Sequence, residues 1–311
     1  MNTIPKFPDF RPFTIDDIKW YYDFYISEGL DPYVDIHPEN LLVWQNINND
    51  LMISKLDNVI VLKYTNVLAE NNVNIIPLSK FLNDSAVKHI IRYLKENKMP
   101  TNLQEIPAKI CCELNKDIWQ LEDDRNSYEY ILDTNQQSLL EGSGFSRQRR
   151  RINFFEREHS SDCIDVQYYK EFNDEIKKAF LHHITTMPFN SNNDASQRNH
   201  LEPIAIRKNL EYAKIFHKKA LIIKINEEVV SLSLISYLNK HTAAINHLKV
   251  NYSVQYIFQY TIYRLAKILY QDGINEMNIE QDLGIEGLRI FKERLQPSRF
   301  LEKKIIRPSH L

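Results

Sequence analysis

Apolar and aromatic positions recur at helical spacing over residues 14–28 (Ile18, Tyr21, Tyr22, Tyr25), and Gly29 closes that run. Three short strand-like runs follow, at 51–56, 58–64 and 73–78. Their separators, Asp57-Asn58 and Glu70-Asn71-Asn72, read as turns. Residues 79–95 are amphipathic with a helical period, and 110–114 reads as a further strand. The stretch 115–127 is polar and acidic, which marks a boundary. Beyond it, 128–140 reads as a helix broken by Gly142-Ser143-Gly144, and 147–158 as a strongly basic helix. Residues 163–169 alternate like a strand. Helices at 171–185 and 202–216 are joined by an Asn-rich loop over 190–200. Three more strand-like runs, 220–225, 229–237 and 242–250, form a meander. The longest predicted helix, 252–270, follows, then a strand at 275–279, a helix at 287–295 and a closing strand at 300–306.

That order predicts an α/β protein with α+β mixed sheets. Helix, helix, three-strand meander, long helix, strand, helix, strand is the order of the Gcn5-related acetyltransferase (GNAT) fold. The first part, with its own helix, meander and helix, reads as a degenerate copy. The expectation is therefore a tandem of GNAT-like folds, divided as 1–120 and 121–311, each a plausible domain size.

Composition narrows the function classes. A chain of 311 residues has room for a full core, and its formal net charge of −2 gives no overall pull toward nucleic acid or anionic membrane. Recognition of either must rest on a local patch. The three cysteines, Cys111, Cys112 and Cys163, form neither a Cys-x-x-Cys pair nor an even framework, and the ten histidines show no ligand spacing. His182 and His183 are neighbours that point to different faces of a helix. No metal is expected. No apolar run has the length to span a bilayer and no secretory leader is visible, so the expectation is a soluble, cytoplasmic protein.

Candidate chemistry concentrates in residues 276–297. A short apolar strand containing Met277 and Ile279 runs into Glu280 and Asp282, then into Gly284-x-x-Gly287, then into a helix carrying Arg289, Lys292 and Arg294. Two of the six glycines of the chain fall in these four residues, which predicts positive φ or a close backbone approach there. Acids at a strand end and cations on the next helix suit a polar or anionic substrate. The alternative is a solvated ladder, with Glu286 and Glu293 pairing Arg289. A second concentration is the helix with Arg147, Arg149, Arg150, Arg151 and Arg157, interleaved with Phe154 and Phe155. It has the density of an RNA-backbone grip, or its arginines pair with glutamates of the same helix. Gly142-Ser143-Gly144 is too short for a phosphate loop.

Two segments resemble one family. Tyr128-Glu-Tyr130, Leu140-Glu-Gly142 and Gln148-Arg149-Arg150-Arg151-Ile152-Asn153-Phe154-Phe155 are similar to its Tyr-x-Tyr, Leu-x-Gly and Lys-Arg-x-x-Ile-Asn-x-Phe elements, with Gln148 in place of Lys. Residues 278–292 match its Asn-x-Glu-x-Asp-Leu-Gly-x-x-Gly-Leu-Arg-x-x-Lys element without a gap, and Glu202 with Ala205 and Ile206 matches a further one. The family is the phosphatidylglycerol lysyltransferase C-terminal-domain-like family, related to the Fem-type transferases. Its tandem acetyltransferase-like folds agree with the element order. One block departs. Leu248 stands where the family has Glu, Lys249 matches, and no glycine lies between Gly144 and Gly273.

The resemblance implies an aminoacyltransferase that moves an amino acid from aminoacyl-tRNA to an amine or hydroxyl of a lipid or small molecule. Glu280 or Asp282 would orient or deprotonate the acceptor. Arg289 and Lys292 would hold an anionic group. Arg147, Arg149, Arg150, Arg151, Lys249 and Arg294 would bind substrate or tRNA. No cofactor is implied beyond aminoacyl-tRNA as co-substrate. The alternative donor is acetyl-CoA, whose users in this superfold place a glycine-rich loop before the long helix. Here that junction, 249–256, has no glycine. A catalytically inactive binding module is the third reading, kept open by Leu248.

Overall fold

The computed structural model describes residues 3–66, 72–186 and 196–309. In chain order the strands are β1 Arg11–Pro12, β2 Met52–Leu56, β3 Val59–Asn66, β4 Asn72–Leu78, β5 Leu103–Pro107, β6 Trp119–Asp123, β7 Glu129–Asp133, β8 Ile164–Tyr169, β9 Lys219–Ile225, β10 Glu228–Tyr237, β11 Thr242–Val250, β12 Glu276–Gln281, β13 Arg299–Leu301 and β14 Lys303–Pro308. The helices are α1 Ile18–Ser27, α2 Pro38–Asn40, α3 Asp84–Glu96, α4 Thr134–Leu139, α5 Ser146–Glu158, α6 Asp174–Thr186, α7 Ser196–Tyr212, α8 Ile257–Gln271 and α9 Glu286–Glu293.

The chain divides into two compact units. One is Met1–Glu129 with Gln281–Gly284 and Leu301–Leu311. The other is Tyr130–Glu280 with Ile285–Phe300. A linear division at 120/121 places Gln281–Gly284 and the last strand in the second domain; contacts place both in the first unit.

The first unit holds two sheets. One is antiparallel, in the order β1-β2-β3-β4, and contains the expected meander. The other places β14 between β5 and β6, so the C-terminal strand closes a sheet begun about 200 residues earlier. Helix α3 starts where Asn83 accepts a hydrogen bond from the Ala86 amide, and it buries Ala86, Val87, Ile90 and Leu94 on one stripe.

The second unit is a seven-stranded sheet, β13-β7-β12-β11-β10-β9-β8. Helix α8 packs one face, where Leu265, Ala266 and Leu269 join Ile223, Ile235 and Ala243. On the other face Ile176 and Phe180 of α6 and Ile206 and Leu210 of α7 cover Ile222, Leu232 and Leu234. Strands β8 to β11 are antiparallel, and α8 then crosses over to bring β12 parallel to β11. This is the acetyltransferase element order expected above.

Several expectations change. Residues 128–140 are not one helix but β7 followed by the single turn of α4. Tyr130, Ile131 and Leu132 are all fully buried, because β7 lies inside the sheet and both its faces are covered. A continuous apolar run of that kind has no period to separate strand from helix. The strand expected at 110–114 lies earlier, as β5, and 108–111 is a 3₁₀ turn. The closing strand splits at Glu302 into β13 and β14, which join different sheets. Among the described elements α7, with 17 residues, exceeds the 15 of α8. Of the predicted loop 190–200, residues 196–200 are helical, and the rest lies outside the described residues, as do Glu70 and Asn71 of the predicted turn.

Candidate functional site

Strands β11 and β12 pair over only three positions, Thr242 with Glu276, Ala243 with Met277 and Ala244 with Asn278. Both then continue, β11 to Val250 and β12 to Gln281, with no further ladder between them among the described residues. The two strands therefore part after Ala244 and Asn278. Extending the parallel register sets Asn246 level with Glu280 across the split.

A bulge shapes the β11 side. Against β10, Leu234 faces His247 and Ile235 faces Ile245, so Asn246 is the extra residue. Neighbouring polar residues of a regular strand would point to opposite faces. Here Asn246 and His247 both engage the α7 side. Asn246 Oδ1 accepts from Lys218 Nζ at 2.9 Å and from Ser236 Oγ at 2.5 Å, and Lys218 also donates to Ser236 at 3.0 Å. Asn209 Nδ2 of α7 lies 2.7 Å from His247 Nε2. Leu248, one position on, packs into the α8-side core.

Lys218 is fully buried, and burial drives its amine toward the neutral form, opposed by the charge of Glu280. Burial likewise lowers His247, helped by Lys218 and Lys249, and keeps its ring neutral. Glu280 is half-buried and adopts φ +59, a left-handed conformation that costs a non-glycine residue energy. Its amide donates to Asn278 Oδ1 at 2.8 Å.

The other residues singled out by sequence separate into groups. Asp282 is fully buried in the first unit, where Arg125 pairs with it at 2.9 Å and the Gly284 amide donates to it at 2.8 Å. It holds a turn together. Gly284 has φ +74 and lies so close to Asn126 that a Cβ would sit 3.0 Å from that side chain, so both reasons for glycine apply. Neither applies to Gly287, which has open space around it. Lys292 is buried in the second unit. Its ammonium donates to the Ile279 carbonyl of β12 and lies 5.7 Å from the centroid of the Tyr130 ring. Arg289 is half-buried on α9. Lys249 pairs with Glu202 at 2.5 Å.

The arginine helix forms a second site. An open cavity of about 680 Å³ is walled by Arg149, Arg150, Arg151 and Arg157 of α5, by Phe154, and by Tyr256 at the start of α8. Arg151 stacks over the Tyr256 ring and Arg157 over Phe154, each 5.5 Å from the centroid. Burial, then the like charges of Arg147, Arg294 and Arg150, lower Arg151. Arg147 and Arg294 thus belong to the same positive field. Arg149 is committed elsewhere, donating to the carbonyls of Leu140 and Gly142 at the end of α4. Tyr256 holds φ +65 at the N-cap of α8, where a glycine would sit more easily.

Sequence reasoning passed over Arg125, Lys218, Asn209, Asn246 and His247. Only Asn246-His247 carries a local signal, two adjacent polar residues inside an apolar strand. Among the described residues no cluster of His, Cys, Asp and Glu could hold a metal, and no helix is long and apolar enough to cross a membrane.

Comparison with known proteins places the chain in a class. The family model for phosphatidylglycerol lysyltransferase, C-terminal, matches residues 40–306. The chain belongs to that family of transferases. No curated protein sequence matches it. Among solved structures, a conserved protein of unknown function from Bacteroides thetaiotaomicron superposes with a TM-score of 0.77 at 20% identity, covering 98% of this chain and 99% of that one. L-PGS from Bacillus licheniformis superposes with a TM-score of 0.60 at 12% identity, covering 99% and 95%. At these identities the likeness is one of fold.

Proposed function

We propose that the chain moves an aminoacyl group from aminoacyl-tRNA to an amine or hydroxyl acceptor on a lipid or small molecule. The observation that carries this reading is the arginine-lined cavity beside α8. Three guanidinium groups, those of Arg150, Arg151 and Arg157, and two aromatic rings offer a polyanion charge and stacking together, the combination that grips single-stranded nucleic acid ends. The family description, phosphatidylglycerol lysyltransferase, favours phosphatidylglycerol as the first acceptor and a lysyl group as the first cargo to try.

The ester of an aminoacyl-tRNA is already activated, so no covalent enzyme intermediate is needed. Transfer requires a proton acceptor for the attacking group, stabilisation of the oxyanion, and return of a proton to the leaving ribose oxygen. Glu280, at the mouth of the split, is positioned as the proton acceptor. Lys292 orders the strand that carries it by holding the Ile279 carbonyl.

Binding of tRNA is expected to weaken steeply with salt. Replacing Arg150, Arg151 and Arg157 by alanine should reduce the slope of log K against log[salt] by about 2 to 3, since each lost phosphate contact removes roughly 0.7 to 0.9. Arg149 is spared because its loss would free the end of α4. Filter binding across a salt series measures the slope. Tight acetyl-CoA binding with no tRNA binding would overturn the reading in favour of an acyl-CoA donor.

A further inference from the structure

Asn246 is held in one orientation by groups that the transfer reaction does not otherwise need. Its Oδ1 takes two hydrogen bonds, from Lys218 and Ser236, so the carboxamide cannot flip without losing both. Its Nδ2 is thereby turned away from those two residues and has no hydrogen-bond acceptor among the described residues. Asn246 is also the bulge residue of β11, level with Glu280 where β11 and β12 part. Lys218 is fully buried and donates to both Ser236 and Asn246, and Ser236 donates to Asn246, so the three side chains close a ring that fixes the carboxamide. Its geometry makes sense if the asparagine must point its donors at one place.

We propose that Asn246 is a catalytic residue whose Nδ2–H groups stabilise the oxyanion of the transfer reaction, and that Lys218 and Ser236 are the positioning residues that aim it. The assignment rests on the aminoacyl-transfer reading above. The acceptor nitrogen or oxygen attacks the ester carbonyl carbon, forming the new C–N or C–O bond. The carbonyl electron pair moves to oxygen, where Asn246 donates to it. The acceptor proton passes to the Glu280 carboxylate. Collapse breaks the bond to the ribose oxygen, which takes up a proton as the glutamic acid gives one back. A preoriented amide is effective in this role because its dipole needs no reorganisation as charge develops.

The test uses the full chain, bulk tRNA charged with radiolabelled amino acids, and phosphatidylglycerol vesicles as acceptor. Asn246→Asp is the decisive variant. It keeps the size and the acceptor for Lys218 and Ser236, so the fold is retained, but it loses the donor. Transfer should fall about 10²- to 10³-fold in kcat, with KM changed less than about threefold. Lys218→Met should lower kcat at unchanged KM while leaving the shape of the pH profile intact, since Lys218 aims a group rather than taking a proton. If the wild type transfers and Asn246→Asp keeps kcat within about threefold, this assignment fails while the aminoacyl-transfer reading stands. Loss of one pH limb in Lys218→Met would make Lys218 the proton acceptor and overturn its positioning role. A wild type that binds tRNA but transfers nothing to these vesicles or to added small amines removes the reaction itself, and the assignment with it.

Discussion

Replacing Lys303 by alanine is expected to cost about 3 to 5 kcal/mol of stability, the loss typical of removing one member of a buried charge group. Lys303 of β14 is 1% exposed. Its ammonium pairs with Asp35 and lies 2.9 Å from Glu129. The charge of Glu105 also acts on it, and that side chain accepts from Tyr64, Asn66 and Asn74. Three carboxylates thus share one cation. Burial raises Asp35 against the opposing charge of Lys303, and the neighbouring carboxylates add to the rise. Without Lys303 this group is left negative and dry, and the central strand of the three-stranded sheet loses its anchor. Urea midpoints for Lys303→Ala measure the loss, and Lys303→Ala combined with Asp35→Asn should recover part of it. A cost below about 1 kcal/mol, or no recovery in the double variant, would show that the cluster does not hold β14.

Glu280→Gln is expected to lower transfer about 10²- to 10⁴-fold, the range for removing a general base, while leaving the melting temperature near that of the wild type. The side chain is half-buried and glutamine has the same size and shape, so the packing around it is kept. Glu280→Gly should be equally inactive yet no less stable, because glycine adopts φ +59 without strain. Asp282→Asn makes the opposite case. It breaks a fully buried carboxylate's pair with Arg125, so stability should fall by about 1.5 to 3 kcal/mol, with activity reduced only as far as the fold is. Turnover and melting temperature measured side by side on the three variants separate the roles. Activity surviving in Glu280→Gln would remove Glu280 from the chemistry, and a stable but inactive Asp282→Asn would return Asp282 to it.

Both carboxylates looked alike in the sequence, two acids separated by one residue at a strand end. Tertiary structure sets them apart. The chain leaves the second unit after Glu280 and spends Gln281–Gly284 in the first before returning. The same holds for the arginines of α5. Periodicity and charge density marked the helix, but all four of Arg149, Arg150, Arg151 and Arg157 line the cavity, and only the hydrogen bonds of Arg149 to the Leu140 and Gly142 carbonyls show that it also has a structural task.

What the chain alone determined is what local physics encodes. The stripes of α3 and α8, the meander of β9 to β11 and the turn at Gly284 each follow from residues within a few positions of one another, so they were legible, as was the family motif over 278–292. Strand β7 was not, because burial on both faces erases the alternation that identifies a strand. The pairing of Lys303 with Asp35 joins residues 268 positions apart, and the aim of Asn246 depends on a lysine 28 positions away and a one-residue bulge. No pattern along the sequence records such meetings. They arise when separate elements close around groups that cannot be buried alone, since a charge or amide taken out of water is tolerated only where the fold brings it a partner.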